Sequence, residues 1–97
     1  MKFRFSPRAA SEAEKKGDWW RANRPSSPDL FDEELAGTID RVTQAPDEGA
    51  IYPSGHDVIV RRVLMPKTKN HVYYTVHEGG IVILAVWGGA RRRGPKL

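Results

Sequence analysis

The sequence contains no cysteine, which excludes disulfides, thiol nucleophiles and cysteine-type zinc sites. It also lacks a long hydrophobic run. The longest, at 81–87, has seven residues, far fewer than the roughly 20 that a membrane helix needs. The N-terminus "MKFRFSPRAA" has no apolar signal core. We therefore expect a cytoplasmic protein that makes no contact with membranes.

Acidic residues are scarce in the second half of the chain. Residues 58–97 hold 8 Lys and Arg against one acid, Glu78, a net charge of +7, whereas residues 1–57 hold 8 against 11, a net of −3. This asymmetry predicts that the C-terminal half attracts phosphates or an acidic protein segment. At 97 residues and 39% hydrophobic content, the chain is expected to form one domain over 1–97, with a basic tail over 88–97.

Two segments have helical signals. Ser6 and Pro7 form a helix start, and the first helix is expected to run to about Asn23, closing on Trp19 and Trp20. Adjacent helical residues point about 100° apart, so one of these tryptophans is expected in the core and the other at the surface.

The second helix is predicted from a repeat of the same start signal at Ser27 and Pro28, with Pro46 ending it. An apolar face recurs at helical spacing, and the short link between the helices predicts an antiparallel hairpin. The residues of that face are Phe31, Leu35, Ile39 and Val42.

Strand patterns surround the helices. The segment 46–57 is interpreted as a loop because it contains two prolines and two glycines. Short links between the last three strands predict a meander, so the fold class is α+β: a helix hairpin on one face of a mostly antiparallel four-stranded sheet, in the order β-α-α-β-β-β. The predicted strands are 2–5, 58–65, 71–76 and 81–87.

The element order, the helix junction "DWWRANRP", the "AP" that ends the second helix, and above all "VRRVLMPKTKNHVYYTVHEGGIVILAVWGGARRRGP" resemble the RelE/ParE superfamily of bacterial type II toxins. The resemblance implies a small toxin, also described as a plasmid stabilisation protein, that a cognate ParD-like antitoxin holds inactive. Its target would be DNA gyrase in ParE-like members, or mRNA on the ribosome in RelE-like members. Operator DNA would be bound only through the antitoxin. No cofactor and no metal are expected.

The two branches demand different chemistry. RelE-like members need cations and proton-transferring groups for attack of a ribose hydroxyl on phosphate. At the matching positions this chain has Arg62, Leu64 and His71, then Gly89 or the shifted Arg91, and no C-terminal tyrosine. Because arginine is a poor general base, this loss favours a ParE-like gyrase poison that acts by binding.

Two alternatives stay open. A ribosome-dependent mRNA endonuclease would use His71 as acid or base, with Arg62 and Arg91 holding the phosphate. His71 is equally well explained as an ordinary strand histidine. The other alternative is a non-toxic protein that binds its antitoxin as a co-repressor.

The alternation of side chains along a strand and their spacing along a helix predict which residues lie at the surface. Tyr74 is expected in the core and Tyr73 on the open face of the sheet, where it could stack on a base, while Arg61 and Arg62 should point to opposite faces. The candidate antitoxin contacts are Trp19, Trp20, Phe31 and Leu35. The candidate target or nucleic-acid contacts are Arg61, Arg62, Lys67, Lys69, Tyr73, Arg91, Arg92 and Arg93.

Overall fold

A computed structural model describes residues 1–55, 57–89 and 93–97. It confirms the α+β class, with two helices on one face of a mostly antiparallel sheet, but the sheet has five strands instead of four. The elements in chain order are β1 (Phe3–Phe5), α1 (Pro7–Asn23), α2 (Leu30–Gln44), β2 (Ala50–Tyr52), β3 (Val60–Met65), β4 (Asn70–His77) and β5 (Gly80–Gly88).

The strands lie in the order β1-β5-β4-β3-β2, with β1 parallel to β5 and every other pair antiparallel. The additional strand is β2, which lies within the segment 46–57 that was interpreted as a loop. Ala50 pairs with Arg62 and Tyr52 with Val60. Three residues are too few to form a stable strand alone, so β2 forms because β3 offers it an edge to pair with.

The first helix begins as predicted and the second does not. Ser6 Oγ accepts a hydrogen bond from the backbone N–H of Ala9 at 3.1 Å and caps α1. The predicted start at Ser27 and Pro28 is wrong. The N–H of Ser27 donates to the carbonyl of Arg24, which makes a turn, and α2 begins only at Leu30, without a side-chain cap.

The main core lies between the helix hairpin and the sheet. All four predicted apolar positions of α2 are buried there, together with Tyr74 and residues of β4 and β5. The Tyr74 hydroxyl donates to the carbonyl of Pro46 at 2.7 Å and accepts from the N–H of Gly49 at 3.1 Å, so the loop before β2 is fixed to the core. Burial raises the pKa of the Tyr74 hydroxyl, which therefore stays protonated at neutral pH.

The opposite face of the sheet has a smaller core. Val60, Tyr73 and Ala85 are buried there, and the C-terminal residue Leu97 packs against them. The described part of the tail is hydrogen-bonded across this face: Tyr52 donates to Pro95, Trp87 to Arg93, and Arg8 to Lys96. The expected basic tail over 88–97 is therefore in part a packed segment, and Gly88 still belongs to β5.

Within the ranges that the structure describes, no helix is both long enough and apolar enough to cross a bilayer.

Candidate functional site

The face of the sheet under the tail carries two of the predicted nuclease residues. These are Arg62 on β3 and His71 on β4. Leu64, two residues after Arg62, points to the same face and lies directly opposite His71. The Arg62 guanidinium lies 5.9 Å from the centre of the Tyr52 ring. Leu64 is 46% exposed and can neither transfer a proton nor carry charge. Gly89 brings no cation here, and Arg91 lies outside the described residues.

His71 is half-buried beside Arg62. Burial, followed by the charge of Arg62, lowers the pKa of the His71 imidazole. The imidazole is therefore neutral at pH 7 and able to accept a proton, but not to supply positive charge to a phosphate. Arg62 and His71, two of the predicted nuclease residues, therefore lie close together on this face. Among the described residues, no other cation at a position of the RelE-like set joins them.

Tyr73 lies on the predicted face of the sheet, but its side chain is not exposed to solvent. Its exposed fraction is 1%, because Tyr52 packs edge-on against it with ring centres 4.8 Å apart and the tail covers the same cluster. The prediction that Tyr73 could stack on a base is therefore wrong for this conformation. The cover comes from β2 and from the tail, which are distant in sequence from Tyr73.

Arg61 points to the other face of β3, so the predicted split between Arg61 and Arg62 is confirmed. Arg61 Nη1 donates to the carbonyls of Asp47 at 3.1 Å and Gly49 at 2.8 Å. The Arg61 side chain thus holds the loop before β2, which leaves less of it available to a target.

A basic groove runs between the C-terminal half of α1 and the β3–β4 turn. Its volume is about 580 Å³. Trp19 and Trp20, predicted as antitoxin contacts, line one wall of the basic groove. Lys67 and Lys69, predicted as target or nucleic-acid contacts, line the other. The described residues that line the basic groove are Lys15, Lys16, Trp19, Trp20, Arg24, Lys67, Thr68, Lys69 and Asn70.

Sequence reasoning missed the cations that α1 adds to this groove. The spacing of four between Lys15 and Trp19, and between Trp20 and Arg24, places these residues on one side of the helix and was visible in the sequence. The helical spacing alone could not show which loop α1 meets.

Glu34 of α2 fixes the second wall of the basic groove. Its carboxylate accepts hydrogen bonds from the N–H of Lys67 at 2.7 Å, the N–H of Thr68 at 2.9 Å and the Thr68 hydroxyl at 2.7 Å. Burial alone would raise the pKa of Glu34, but these hydrogen bonds outweigh it and hold the pKa below its usual value. Glu34 is therefore ionised at neutral pH.

An apolar groove lies on the other side of the hairpin, between β1 and α2, with a volume of about 610 Å³. Leu35 and Ile39 reach its floor. Phe31 has no exposed surface, so the expectation that it contacts the antitoxin is wrong for this conformation. The residues that line the apolar groove are Met1, Phe3, Phe5, Asp32, Leu35, Ala36, Ile39, Asp40 and Thr43.

The burial of the two tryptophans is as predicted, with one against the core and the other at the surface. Trp20 packs against the core, whereas Trp19 is 47% exposed, and their rings meet edge-on with centres 5.8 Å apart. Arg24 lies over both rings, 5.0 Å from the centre of Trp19 and 5.7 Å from that of Trp20. Among the described residues, no group of three His, Cys, Asp or Glu side chains is placed to hold a metal ion.

The fold is similar to that of several solved chains from toxin-antitoxin systems. A chain from the chromosomal ParDE toxin-antitoxin system of P. aeruginosa superposes with a TM-score of 0.73 at 18% identity, covering 91% of this chain and 95% of that one. The isolated E. coli RelE toxin gives 0.61 at 17% identity, with coverages of 95% and 87%. A chain of the intact E. coli RelBE toxin-antitoxin complex gives 0.60 at 17% identity, with coverages of 93% and 98%.

The family follows from the sequence match. The family model described as the ParE toxin of the type II toxin-antitoxin system, parDE, matches residues 3–93. The chain therefore belongs to the ParE toxin family of type II toxin-antitoxin systems. A comparison with curated proteins finds no match.

Proposed function

We propose that this ParE-type toxin is a poison of DNA gyrase, and that a cognate antitoxin neutralises it. The observation that carries the proposal is the face under the tail. In the RelE-like branch this face needs several cations, whereas here Leu64 lies opposite a neutral His71 and Tyr73 is covered. Membership of the ParE family supports the same choice.

For the antitoxin, the apolar groove is the best-matched surface. Phe3 is 51% exposed beside it, and β1 is the last strand of the sheet, paired on one side with β5. An antitoxin segment can add along the outer edge of β1 and place alternate apolar side chains over Leu35 and Ile39. Asp40 at the rim favours Lys or Arg at the flank of that segment, whereas Asp32 is already paired with Arg21.

The test of the target combines the purified toxin with gyrase, ATP and supercoiled plasmid. A gyrase poison makes linear cleaved DNA accumulate in proportion to toxin. Unchanged supercoiling and relaxation, with the toxin shown to be folded by circular dichroism, would reject the proposal.

A second candidate is the ribosome-dependent mRNA endonuclease, favoured by one observation: His71 is neutral and lies beside Arg62. A cell-free translation reaction would then yield mRNA cut at the ribosomal A site, and His71→Ala would abolish the cut. Intact message with the unaltered toxin rejects this candidate. Normal growth of cells that express the toxin without antitoxin would instead indicate a co-repressor.

A further inference from the structure

The basic groove is separate from the apolar groove proposed for the antitoxin and from the residues of the predicted nuclease site, although Trp19 and Trp20, predicted from the sequence as antitoxin contacts, line it. Lys15, Lys16 and Arg24 line one wall, and Lys67 and Lys69 line the other. No carboxylate is among its nine described lining residues, although Glu34 lies behind the turn. A groove with cations on both walls attracts a chain that carries regularly spaced negative charge.

Aromatic surface accompanies the charge. Trp19 is about half exposed, and Arg24 already lies over its ring, as a planar cation does when it stacks on an aromatic face. A nucleobase can stack on Trp19 or on the guanidinium plane of Arg24. Paired bases in a duplex present no such free face, so this arrangement favours an unpaired strand.

The lining also argues against an acidic amphipathic peptide. A helical peptide binds through several aliphatic anchors in an apolar groove. In the basic groove the large apolar side chains are the two tryptophans, whereas aliphatic side chains line the groove on the other side of the hairpin.

We propose that the basic groove binds single-stranded nucleic acid, with the phosphates on Lys15, Lys67 and their neighbours and a base stacked on Trp19. This binding goes beyond gyrase poisoning. It belongs to the isolated toxin and can be measured without gyrase, so the two proposals fail independently.

The experiment measures fluorescence anisotropy of labelled oligothymidine and oligouridine with the full chain, with a duplex of equal length as a third probe. Both single strands should bind more tightly than the duplex. Trp19→Ala should weaken single-strand binding roughly 5- to 160-fold, the loss expected for one stacked base, without changing its salt dependence.

Charge variants separate this groove from general attraction to a basic protein. Lys15→Gln with Lys67→Gln should reduce the slope of log affinity against log salt by about 1.4, since each phosphate contact on a single strand contributes about 0.7. The matched control is Lys2→Gln with Arg4→Gln, which removes the same charge beside the β4–β5 turn at the opposite end of the sheet.

Three results would overturn the proposal. Trp19→Ala could bind as tightly as the unaltered protein, the control pair could weaken binding as much as the groove pair, or a poly-glutamate peptide could bind in a Trp19-dependent way while neither oligonucleotide binds. Thermal unfolding of each variant checks that the fold is retained, and Trp19→Leu replaces Trp19→Ala if the alanine variant unfolds.

Discussion

Two grooves of similar volume flank the same helix hairpin and differ in chemistry. The apolar groove beside β1 is lined by aromatic and aliphatic side chains with aspartates at its rim. The basic groove beside the β3–β4 turn is lined by five cations and two tryptophans. One small domain therefore offers one surface suited to an apolar protein segment and another suited to a polyanion, which allows an antitoxin and a nucleic acid to bind at different places.

The largest expected effect is on the apolar groove. Phe3→Ala should weaken antitoxin binding by about 2–4 kcal/mol, because an exposed aromatic at the centre of an interface is a typical hot spot. Isothermal titration with the cognate antitoxin measures it. Oligonucleotide binding by the same variant should not change. A loss at both sites would show that the grooves are not separate.

The second largest difference is expected in how the affinity of each groove for its ligand depends on salt concentration. If three or four phosphates bind in the basic groove, single-strand affinity should fall roughly 20- to 50-fold between 50 and 200 mM salt. Antitoxin affinity at the apolar groove should change much less, because apolar contacts are not screened. Parallel titrations at both salt concentrations test the contrast, and equal salt slopes would remove it.

Glu34 gives a smaller, structural difference. Glu34→Ala removes three hydrogen bonds to the β3–β4 turn and should lower the free energy of unfolding by about 1–2 kcal/mol, while Glu34→Gln, which keeps one acceptor oxygen, should cost less. Urea unfolding of both variants measures this. A loss of antitoxin binding by folded Glu34→Ala would contradict the assignment of Glu34 to the basic groove.

The pH dependence of the Glu34 contribution has a defined sign. Because the pKa of Glu34 is lowered in the folded protein, its stabilisation is fully present above the unfolded-state pKa of about 4.3 and is lost as the pH falls through the folded pKa. The difference in stability between the unaltered protein and Glu34→Gln should therefore shrink as the pH falls below the unfolded-state pKa of Glu34. A constant difference would show that the carboxylate is not the stabilising group.

The smallest effect is expected at Gly17, between the grooves. A Cβ there would lie 2.8 Å from an Asp32 oxygen and 3.1 Å from Arg21, which are flexible ends of an exposed ion pair. Alanine gains about 0.5–1 kcal/mol of helix propensity and disturbs an ion pair worth about 0–1 kcal/mol, so Gly17→Ala should change the free energy of unfolding by an amount between a loss of about 0.5 and a gain of about 1 kcal/mol. A loss of several kcal/mol would mean that the helices cannot adjust.

Local signals in the sequence were sufficient where the structure is also local. The cap at Ser6, the apolar face of α2 and the last three strands all follow from spacing and turn chemistry. The same Ser-Pro pattern failed at Ser27, because a turn through Arg24 competes with helix formation there. Both starts have the same sequence signal, and the neighbouring chain decides the outcome.

The functional surfaces were harder to predict because they join distant segments. Tyr73 was placed on the correct side of the sheet, but its burial depends on Tyr52 and on the tail, which no periodicity reveals. Trp19 and Lys67 were both singled out, yet for different partners, since only the folded hairpin brings α1 against the β3–β4 turn. The contacts predicted for Arg91 and Arg92 stay predictions, because these residues lie outside the described ranges.

The most direct test of the central proposal is gyrase-dependent DNA cleavage with the antitoxin added in steps. Toxin, gyrase, ATP and supercoiled plasmid should give linear DNA, and the linear product should disappear as the antitoxin approaches the amount of toxin present. His71→Ala should leave the product unchanged. Supercoiling that proceeds normally at every toxin concentration, beside cut mRNA in a parallel translation reaction, would contradict the account and identify a nuclease instead.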